Sequence, residues 1–292
     1  MCSPATQTCE LIASELDASV DVNPDALSAP VNDKADGAID IAAGGTFTAT
    51  VTYANDDASN PPSPGNMPCG GTYPGRDVFY KLHLDANEAV YLDTFGSDYD
   101  TVIRVYQGGC LDGPAPSPST ICHNDMCGTT QTQAVWDMHA GDNCIVVDQP
   151  TDPGGNGSLT LHVERGHRTG KLLTLGTAAV GTTVGATDQS QAQCDMVPGP
   201  DSGYYYTVCP NQSQTFVATT CNSATNYDDS LYLLGPNGNT QRCRDNDGTC
   251  VINSSFAGVN VLTVTGPHMF WIIVDSGAPF AAGNYEIDTI LQ

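Results

Sequence analysis

Two stretches of the chain repeat the same series of motifs, and this repeat constrains the fold more than any other feature. Each stretch contains an apolar segment leading into a Tyr-Asp turn, a Cys-bounded acidic loop, an apolar segment ending in Asp, and a closing segment that begins with Gly. The matching segments are 88–106 with 214–234, 122–127 with 243–250, 144–148 with 270–275, and 157–161 with 283–287. A shared order kept over about 120 residues per copy indicates two tandem domains of one kind.

Each copy is predicted to consist of β-strands. Gly (30 residues) and Pro (19 residues) separate short runs rich in Val, Ile, Thr and Tyr, which is typical of sandwiches and barrels. The candidate strands are 46–53, 78–84, 88–94, 102–106, 134–138, 144–148 and 158–163 in the first copy, and 204–208, 214–219, 230–234, 259–265, 270–275 and 284–290 in the second. No long helical period competes with them, so the sequence predicts an all-β fold.

The predicted organisation has three parts. Residues 1–36 form a leader rich in Asp, Ala, Asn and Pro, and we expect it to be a flexible tether. Residues 37–165 and residues 166–292 form the two β repeats. The junction at 165–171 carries three of the nine Lys and Arg residues of the chain.

The cysteines indicate an exported protein. The twelve candidates for disulfide bonding are Cys2, Cys9, Cys69, Cys110, Cys122, Cys127, Cys144, Cys194, Cys209, Cys221, Cys243 and Cys250. An even number of cysteines in a chain with few charged residues favours disulfides formed in an oxidising compartment. Zinc is the alternative, but thiolate zinc sites usually need two close cysteine pairs side by side, and neither close pair here has a second one. Loop length alone suggests the pairings Cys2–Cys9, Cys110–Cys122 and Cys209–Cys221.

The charge balance is strongly acidic, with 33 Asp and Glu against 9 Lys and Arg, a net charge of −24. Such a field repels nucleic acid and anionic membrane surfaces and favours cations. Solubility in a salty habitat accounts for the same composition without a specific acidic function. No apolar run has the length of a membrane span. We therefore expect neither a nucleic-acid partner nor a transmembrane segment.

Short motifs in both copies carry a family resemblance. The first copy contains Asp77-Val-Phe-Tyr80, Asp100-Thr-Val-Ile, Cys122-His-Asn124-Asp125 and Ile145-Val-Val-Asp148. The second copy keeps Tyr227-Asp228, Asp245-Asn-Asp247 and Ile273-Val-Asp275, but its segment 201–206 is offset by one residue and Cys110 has no counterpart. Together these motifs resemble the bacterial pre-peptidase C-terminal domain superfamily, especially its cysteine-bearing members in exported myxobacterial proteins.

That resemblance implies a jelly-roll-like β-sandwich in each copy and an extracellular or cell-surface location. Domains of this superfamily are often appended to secreted proteases or used as binding modules. Some bind collagen or other polymers, and some bind calcium. The expected partner is therefore an extracellular polymer, protein or polysaccharide, or further copies of this chain. The ligand-binding residues remain unknown from the sequence.

Acidic loops at matching places in the two copies form the candidate metal site. The candidate ligands are Asp98, Asp100, Asn124 and Asp125 in the first copy, and Asn226, Asp228, Asp229, Asp245 and Asp247 in the second. Oxygen-only ligands at alternate positions suit Ca²⁺, which takes about 6–8 oxygens. In the alternative interpretation, these side chains accept hydrogen bonds from backbone amides in turns. Neither interpretation requires a cofactor other than calcium.

The sequence contains no recognisable catalytic motif. It lacks a Gly-x-Ser-x-Gly elbow, His-Glu-x-x-His, a P-loop and a dinucleotide fingerprint. Asp275-Ser-Gly277 resembles one half of an aspartic-protease dyad, but the repeat matches Asp275 with Asp148 and leaves no second lobe for it. We therefore expect a non-catalytic module pair for binding or adhesion. The alternatives are a structural subunit of an extracellular fibre or coat, and a secreted hydrolase with an unrecognised site.

Overall fold

A computed structural model describes most of the chain after the first 27 residues. The described residues are 28–58, 75–110, 121–150, 157–191, 194, 197–236, 238–246, 248–253 and 256–292. They contain strands, turns and one 3-10 helix of three residues, Ala35–Gly37, so the all-β prediction is confirmed. In these ranges no helix is long and apolar enough to cross a membrane.

The described strands divide evenly between the two halves of the chain. The first half contains β1 (Ile39–Asp40), β2 (Gly45–Thr50), β3 (Asp77–Leu84), β4 (Glu88–Asp93), β5 (Val102–Gln107), β6 (Ile121–Asn124), β7 (Gln133–Met138), β8 (Gly141–Asp148) and β9 (Ser158–Arg165). The second half contains β10 (Lys171–Leu172), β11 (Ala179–Thr182), β12 (Ser202–Val208), β13 (Ser213–Thr219), β14 (Asp229–Leu234), β15 (Thr240–Arg244), β16 (Gly258–Thr265), β17 (His268–Ser276) and β18 (Asn284–Leu291).

Each half is a sandwich of a five-stranded and a four-stranded sheet. The sheets of the first half have the orders β1-β3-β8-β5-β6 and β2-β9-β4-β7. Those of the second half have the orders β10-β12-β17-β14-β15 and β11-β18-β13-β16, so each strand has a counterpart nine strands later. All paired strands are antiparallel except β1 and β10, the short edge strands, which run parallel to β3 and β12.

The core of each half lies between its two sheets. In β9, Leu159, Leu161 and Val163 are buried and alternate with more exposed residues, as expected for a strand with one face inward. Residues 102–106 of β5 and 143–148 of β8 are buried on both faces, which explains why these segments are mostly apolar without alternation. The outer face of the five-stranded sheet, which points away from this core, is covered differently in the two halves.

In the first half, this outer face is covered by the end of the predicted leader. Ala35 and Ala38 are buried against Phe79 of β3. The Asn32 side chain donates a hydrogen bond to the Phe79 carbonyl oxygen at 3.3 Å. The end of the leader, which we expected to be a flexible tether, is therefore packed on the sandwich; residues 1–27 lie outside the described part of the chain.

In the second half, the equivalent outer face is covered by the first half. Trp271 and Tyr205 pack, buried, with Ala89 and Tyr91 of β4. The connection from β9 to β10 passes so close to the indole that a Cβ on Gly166 would lie 2.6 Å from a Trp271 ring atom. The two sandwiches thus share an apolar interface.

Polar contacts and a disulfide complete this interface. Glu164 of β9 is hydrogen-bonded to the His268 ring at 2.5 Å and accepts a bond from the Met269 amide at 3.0 Å. The disulfide Cys127–Cys209 joins the loop after β6 to the residue after β12. The two halves are therefore coupled covalently as well as by packing.

Disulfides bond every described cysteine. The described pairs are Cys110–Cys144, Cys127–Cys209, Cys194–Cys243 and Cys221–Cys250, and Cys122 is also disulfide-bonded. No described cysteine is free, which excludes the zinc alternative for them. The pairings Cys110–Cys122 and Cys209–Cys221 are wrong, because strand order rather than loop length brings the sulfur atoms together. The pairing Cys2–Cys9 lies outside the described residues.

Candidate functional site

Polar residues gather at one end of the five-stranded sheet. In the first half, Asp77 of β3 lies opposite Asp148 of β8. Asp148 also lies opposite Val102 of β5, whose neighbour on the other side is Asn124 of β6. The loops before β5 and after β6 bring most of the predicted metal ligands to this same end. Strand order, rather than proximity in sequence, assembles the candidate site.

Two of the predicted ligands are hydrogen-bond acceptors in turns. Asp98 Oδ1 accepts a bond from the Ser158 backbone amide at 2.7 Å. At the matching place in the second half, Asn226 Oδ1 accepts a bond from the Asn284 amide at 2.9 Å. These bonds hold the first residues of the closing strands β9 and β18. For these two residues the structure shows the hydrogen bonding to backbone amides that was the alternative to metal binding.

Three other predicted ligands converge in the first half. The Asn124 side-chain nitrogen donates to Asp125 Oδ2 at 3.4 Å. Burial, and then the negative charge of Asp125, raises the pKa of Asp100. Asp100 Oδ1 and Asn124 Oδ1 are buried and make no hydrogen bond within the described part of the chain. Buried oxygens of this kind are normally satisfied, so the three side chains leave a place for a cation or an ordered water.

Two predicted ligands converge around a glycine in the second half. A Cβ on Gly277 would lie 2.6 Å from Asp228 Oδ1 and 2.9 Å from Asp245 Oδ1. Asp245 Oδ2 accepts a hydrogen bond from the Asn246 side chain at 2.7 Å. The absence of a side chain at Gly277 therefore keeps open the space that the two carboxylates share. Asp247, the remaining candidate in this loop, lies outside the described residues.

Asp229 serves the interior of the second sandwich. It is fully buried, and its Oδ1 accepts a hydrogen bond from the Ala257 amide at 3.3 Å. Burial raises the pKa of Asp229 to about 7. Asp229 is therefore a buried hydrogen-bond acceptor, and it is separate from Asp228 and Asp245, the two acids that converge at Gly277.

Each of the two places brings together two of the predicted acidic ligands, Asp100 with Asp125 and Asp228 with Asp245. In the ranges that the structure describes, no group of three or more His, Cys, Asp or Glu side chains surrounds a common point suitable for a metal ion. Calcium takes about 6–8 oxygens, so amide and backbone carbonyl oxygens and water would have to complete any site at Asp100 or Asp228. Calcium binding at these two places stays a prediction.

Calcium is expected to raise the melting temperature above that in chelator by roughly 2–8 °C. Binding to the native state alone adds about 2.7 kcal/mol at a hundredfold excess over Kd, and a bound cation would relieve the repulsion between the carboxylates. The double substitution Asp100→Asn and Asp228→Asn should remove the difference in thermal melts. Magnesium at equal ionic strength controls for general screening of the −24 charge. Equal melting in the two ions, unchanged by the substitutions, would end the calcium hypothesis.

Each half also buries a carboxylate pair, which the sequence interpretation did not treat as a site. Asp77 and Asp148 are both fully buried. The Ala58 amide donates to Asp77 Oδ2 at 2.8 Å, and Arg104 Nη2 lies 3.0 Å from Asp148 Oδ2. Arg104 thus brings one positive charge to these two carboxyl groups, on which the negative charges of Asp56 and Asp57 also act.

The second half has Asp201 and Asp275 in the equivalent place. The Tyr232 hydroxyl donates to Asp275 Oδ2 at 3.2 Å, at the strand position that Arg104 occupies in the first half. The successive backbone amides of residues 189–190 donate to Asp201 Oδ2, each at 2.7 Å. At this strand position a neutral phenol therefore replaces the guanidinium, while the positive charge of Arg168 acts on Asp201.

Burial moves these carboxyl groups toward their neutral form. It raises the pKa of Asp77 to about 8, of Asp275 to about 7 and of Asp201 to about 6. Burial also raises the pKa of Asp148, against the lowering effect of Arg104. In both copies the sequence has one Asp at the beginning of a strand and another Asp at the end of a later strand. Only the pairing of those two strands brings the two Asp side chains together.

The sequence matches no family model and no curated protein. Among solved structures, the pre-peptidase C-terminal domain of a collagenase from Bacillus anthracis is 11% identical, with a TM-score of 0.24, over 44% of this chain and 94% of that one. A cycloisomaltooligosaccharide glucanotransferase from Paenibacillus sp. is 12% identical, with a TM-score of 0.19, over 85% of this chain and 46% of that one. Likeness at these TM-scores indicates nothing about function.

Proposed function

We propose that this chain is a non-catalytic extracellular module pair that binds an extracellular polymer, protein or polysaccharide. The observation that carries the proposal is the coupling of the two sandwiches by the Cys127–Cys209 disulfide and by the buried interface around Trp271. A coupled pair holds its two surfaces at a constant separation. Such an arrangement suits a long ligand, because a second contact on the same polymer gains from a high effective concentration.

The disulfides and the charge support an extracellular location. Four disulfides join described cysteines, and disulfides persist in oxidising compartments. A net charge of −24 keeps the protein soluble and disfavours nucleic acid as a partner.

The placement of the acids and cysteines supports a non-catalytic role. Asp77 and Asp148 expose none of their surface, whereas a general acid or base must come within hydrogen-bond reach of its substrate. Every described cysteine is in a disulfide and so offers no thiolate nucleophile.

The test combines binding with turnover. The protein is sedimented with cellulose, chitin and fibrous collagen, and the same samples are assayed for released sugars and peptides. We expect retention on at least one polymer without release of products. Product release would contradict the non-catalytic role, and the absence of retention on every polymer would contradict polymer binding. The matched variant Cys127→Ser with Cys209→Ser, in which the halves are no longer joined, should be retained less.

A further inference from the structure

A pocket opens at one edge of the first sandwich, at the end of β7 and beside the ends of β5 and β8. Its volume is about 240 Å³. Val105 and Met138 line it and are buried, so they form an apolar floor. Gln107 and His139 line it as well and supply an amide and an imidazole group, whereas the Asn143 side-chain nitrogen donates to the His139 and Gly141 carbonyl oxygens, each at 3.1 Å. The pocket therefore combines an apolar floor with a polar surround.

Trp136 forms one wall of this pocket. It is half-buried, whereas Trp271, the other tryptophan of the chain, is 3% exposed in the interface between the halves. The His123 ring stacks on Trp136 with 6.0 Å between centroids and an angle of 14° between planes. Burial lowers the pKa of His123 and so disfavours a positive charge on the stacked ring. The indole therefore lies beside the pocket with its ring nearly parallel to the His123 ring.

The second half does not repeat this wall. The strand pairing shows which positions are equivalent in the two halves. Leu262 of β16 occupies the position of Trp136 in β7, and Arg244 of β15 occupies the position of His123 in β6. The same strand order is thus reached with leucine at this place, and the fold does not require an indole there. Residues that depart from what the fold needs are expected at functional sites.

The chemistry of the pocket suits a sugar ring. A pyranose has an apolar C–H face that packs on an aromatic ring, and an edge of hydroxyl groups that exchange hydrogen bonds with amide and imidazole groups. At 240 Å³ the pocket is below the range of about 300–1,000 Å³ typical of drug-sized ligands, which limits it to a single ring. Asp137 at the pocket and the net charge of −24 disfavour an anionic ligand. We propose, resting on the polymer binding proposed above, that this pocket binds one uncharged sugar unit of a polysaccharide.

Substitutions at Trp136 test the site. Trp136→Leu introduces the residue of the second half and so keeps an apolar side chain at the sandwich edge, while Trp136→Phe keeps a ring. Sedimentation with cellulose and chitin should show binding about tenfold weaker or worse for Trp136→Leu and close to wild type for Trp136→Phe. Phe280→Leu is the matched control, since it removes an aromatic ring that is 77% exposed elsewhere on the surface, and its binding should be unchanged. Thermal melts of all variants verify that they are folded.

Fluorescence provides a second readout on the unmodified protein. Acrylamide should quench Trp136 but not the buried Trp271, and cellohexaose or chitohexaose should protect the quenchable fraction. Retention on cellulose or chitin that is unaffected by Trp136→Leu, or retention on collagen alone, would overturn the sugar site and leave polymer binding standing. Loss of retention on every polymer would overturn both. Equal weakening by Trp136→Leu and Trp136→Phe, with no protection from quenching, would also overturn the sugar site.

Discussion

In chelating buffer, lowering the pH from about 8 to about 5 is expected to stabilise the folded protein by several kcal/mol. Asp77 makes the largest single contribution, since burial raises its pKa from 3.8 to about 8. Between these two values the folded state binds more protons than the unfolded state, so the free energy of unfolding falls as the pH rises. The stabilisation by Asp77 is fully present below pH 3.8, the pKa of Asp77 in the unfolded state. It is lost as the pH rises through about 8, the pKa of Asp77 in the folded state.

Other groups act in the same direction. Burial raises the pKa of Asp275 to about 7 and that of Asp201 to about 6. The pH range over which each stabilises the folded state therefore ends at a lower pH than for Asp77. The hydrogen bond that the His162 ring donates to Asp93 raises the pKa of His162, whose stabilising charge is likewise lost as the pH rises. Since one pKa unit corresponds to about 1.4 kcal/mol, the sum is a substantial fraction of the stability of an ordinary domain.

Asparagine substitutions measure the size of this effect. Asp77→Asn with Asp275→Asn should raise the free energy of unfolding at about pH 8 by roughly 2–4 kcal/mol and flatten its pH dependence, because no charge is then buried at either place. Denaturant titrations across the pH range give both quantities. Asp36→Asn, at an exposed position, is the control and should leave the slope unchanged. Stability that rises with pH in the unmodified protein would refute the assignment of these carboxyl groups as buried and neutral.

Removing the disulfide between the halves is expected to cost about 4 kcal/mol and to separate their unfolding. The substitutions are Cys127→Ser with Cys209→Ser, which open a loop spanning 82 residues. A disulfide that closes a long loop restricts the unfolded chain strongly, so removing this disulfide destabilises the protein more than removing one that closes a shorter loop. Calorimetry should show one cooperative transition for the unmodified protein and two for the variant, because the interface around Trp271 then has to hold the halves together alone.

A second disulfide provides the control for this experiment. Cys221→Ser with Cys250→Ser opens a loop of 29 residues inside the second half. Its loss should cost about 3 kcal/mol and leave the first half coupled to the second. A single transition at unchanged temperature after removal of Cys127–Cys209 would show that packing alone joins the halves.

Local sequence patterns were enough to predict the fold class and the bonded state of the cysteines. Alternation in segments such as 158–163 and the frequent Gly and Pro report directly on strands and turns, because they depend on neighbouring residues alone. The even cysteine count in a chain of low charge likewise pointed to disulfides. Asp98 and Asn226 occupy matching turns, and each accepts a bond from a backbone amide as a turn residue does.

The tertiary structure alone decided which distant groups meet. Cys110 bonds Cys144 rather than Cys122 because β8 lies between β3 and β5 in the sheet. The same order places Asp77 beside Asp148 and creates the buried carboxylate pair. The packing of Trp271 against the first half depends on the whole interface in the same way. A strand pattern states which face of a segment is apolar, but strand order and the contact between sandwiches arise from the packing of the entire chain, so no local segment encodes them.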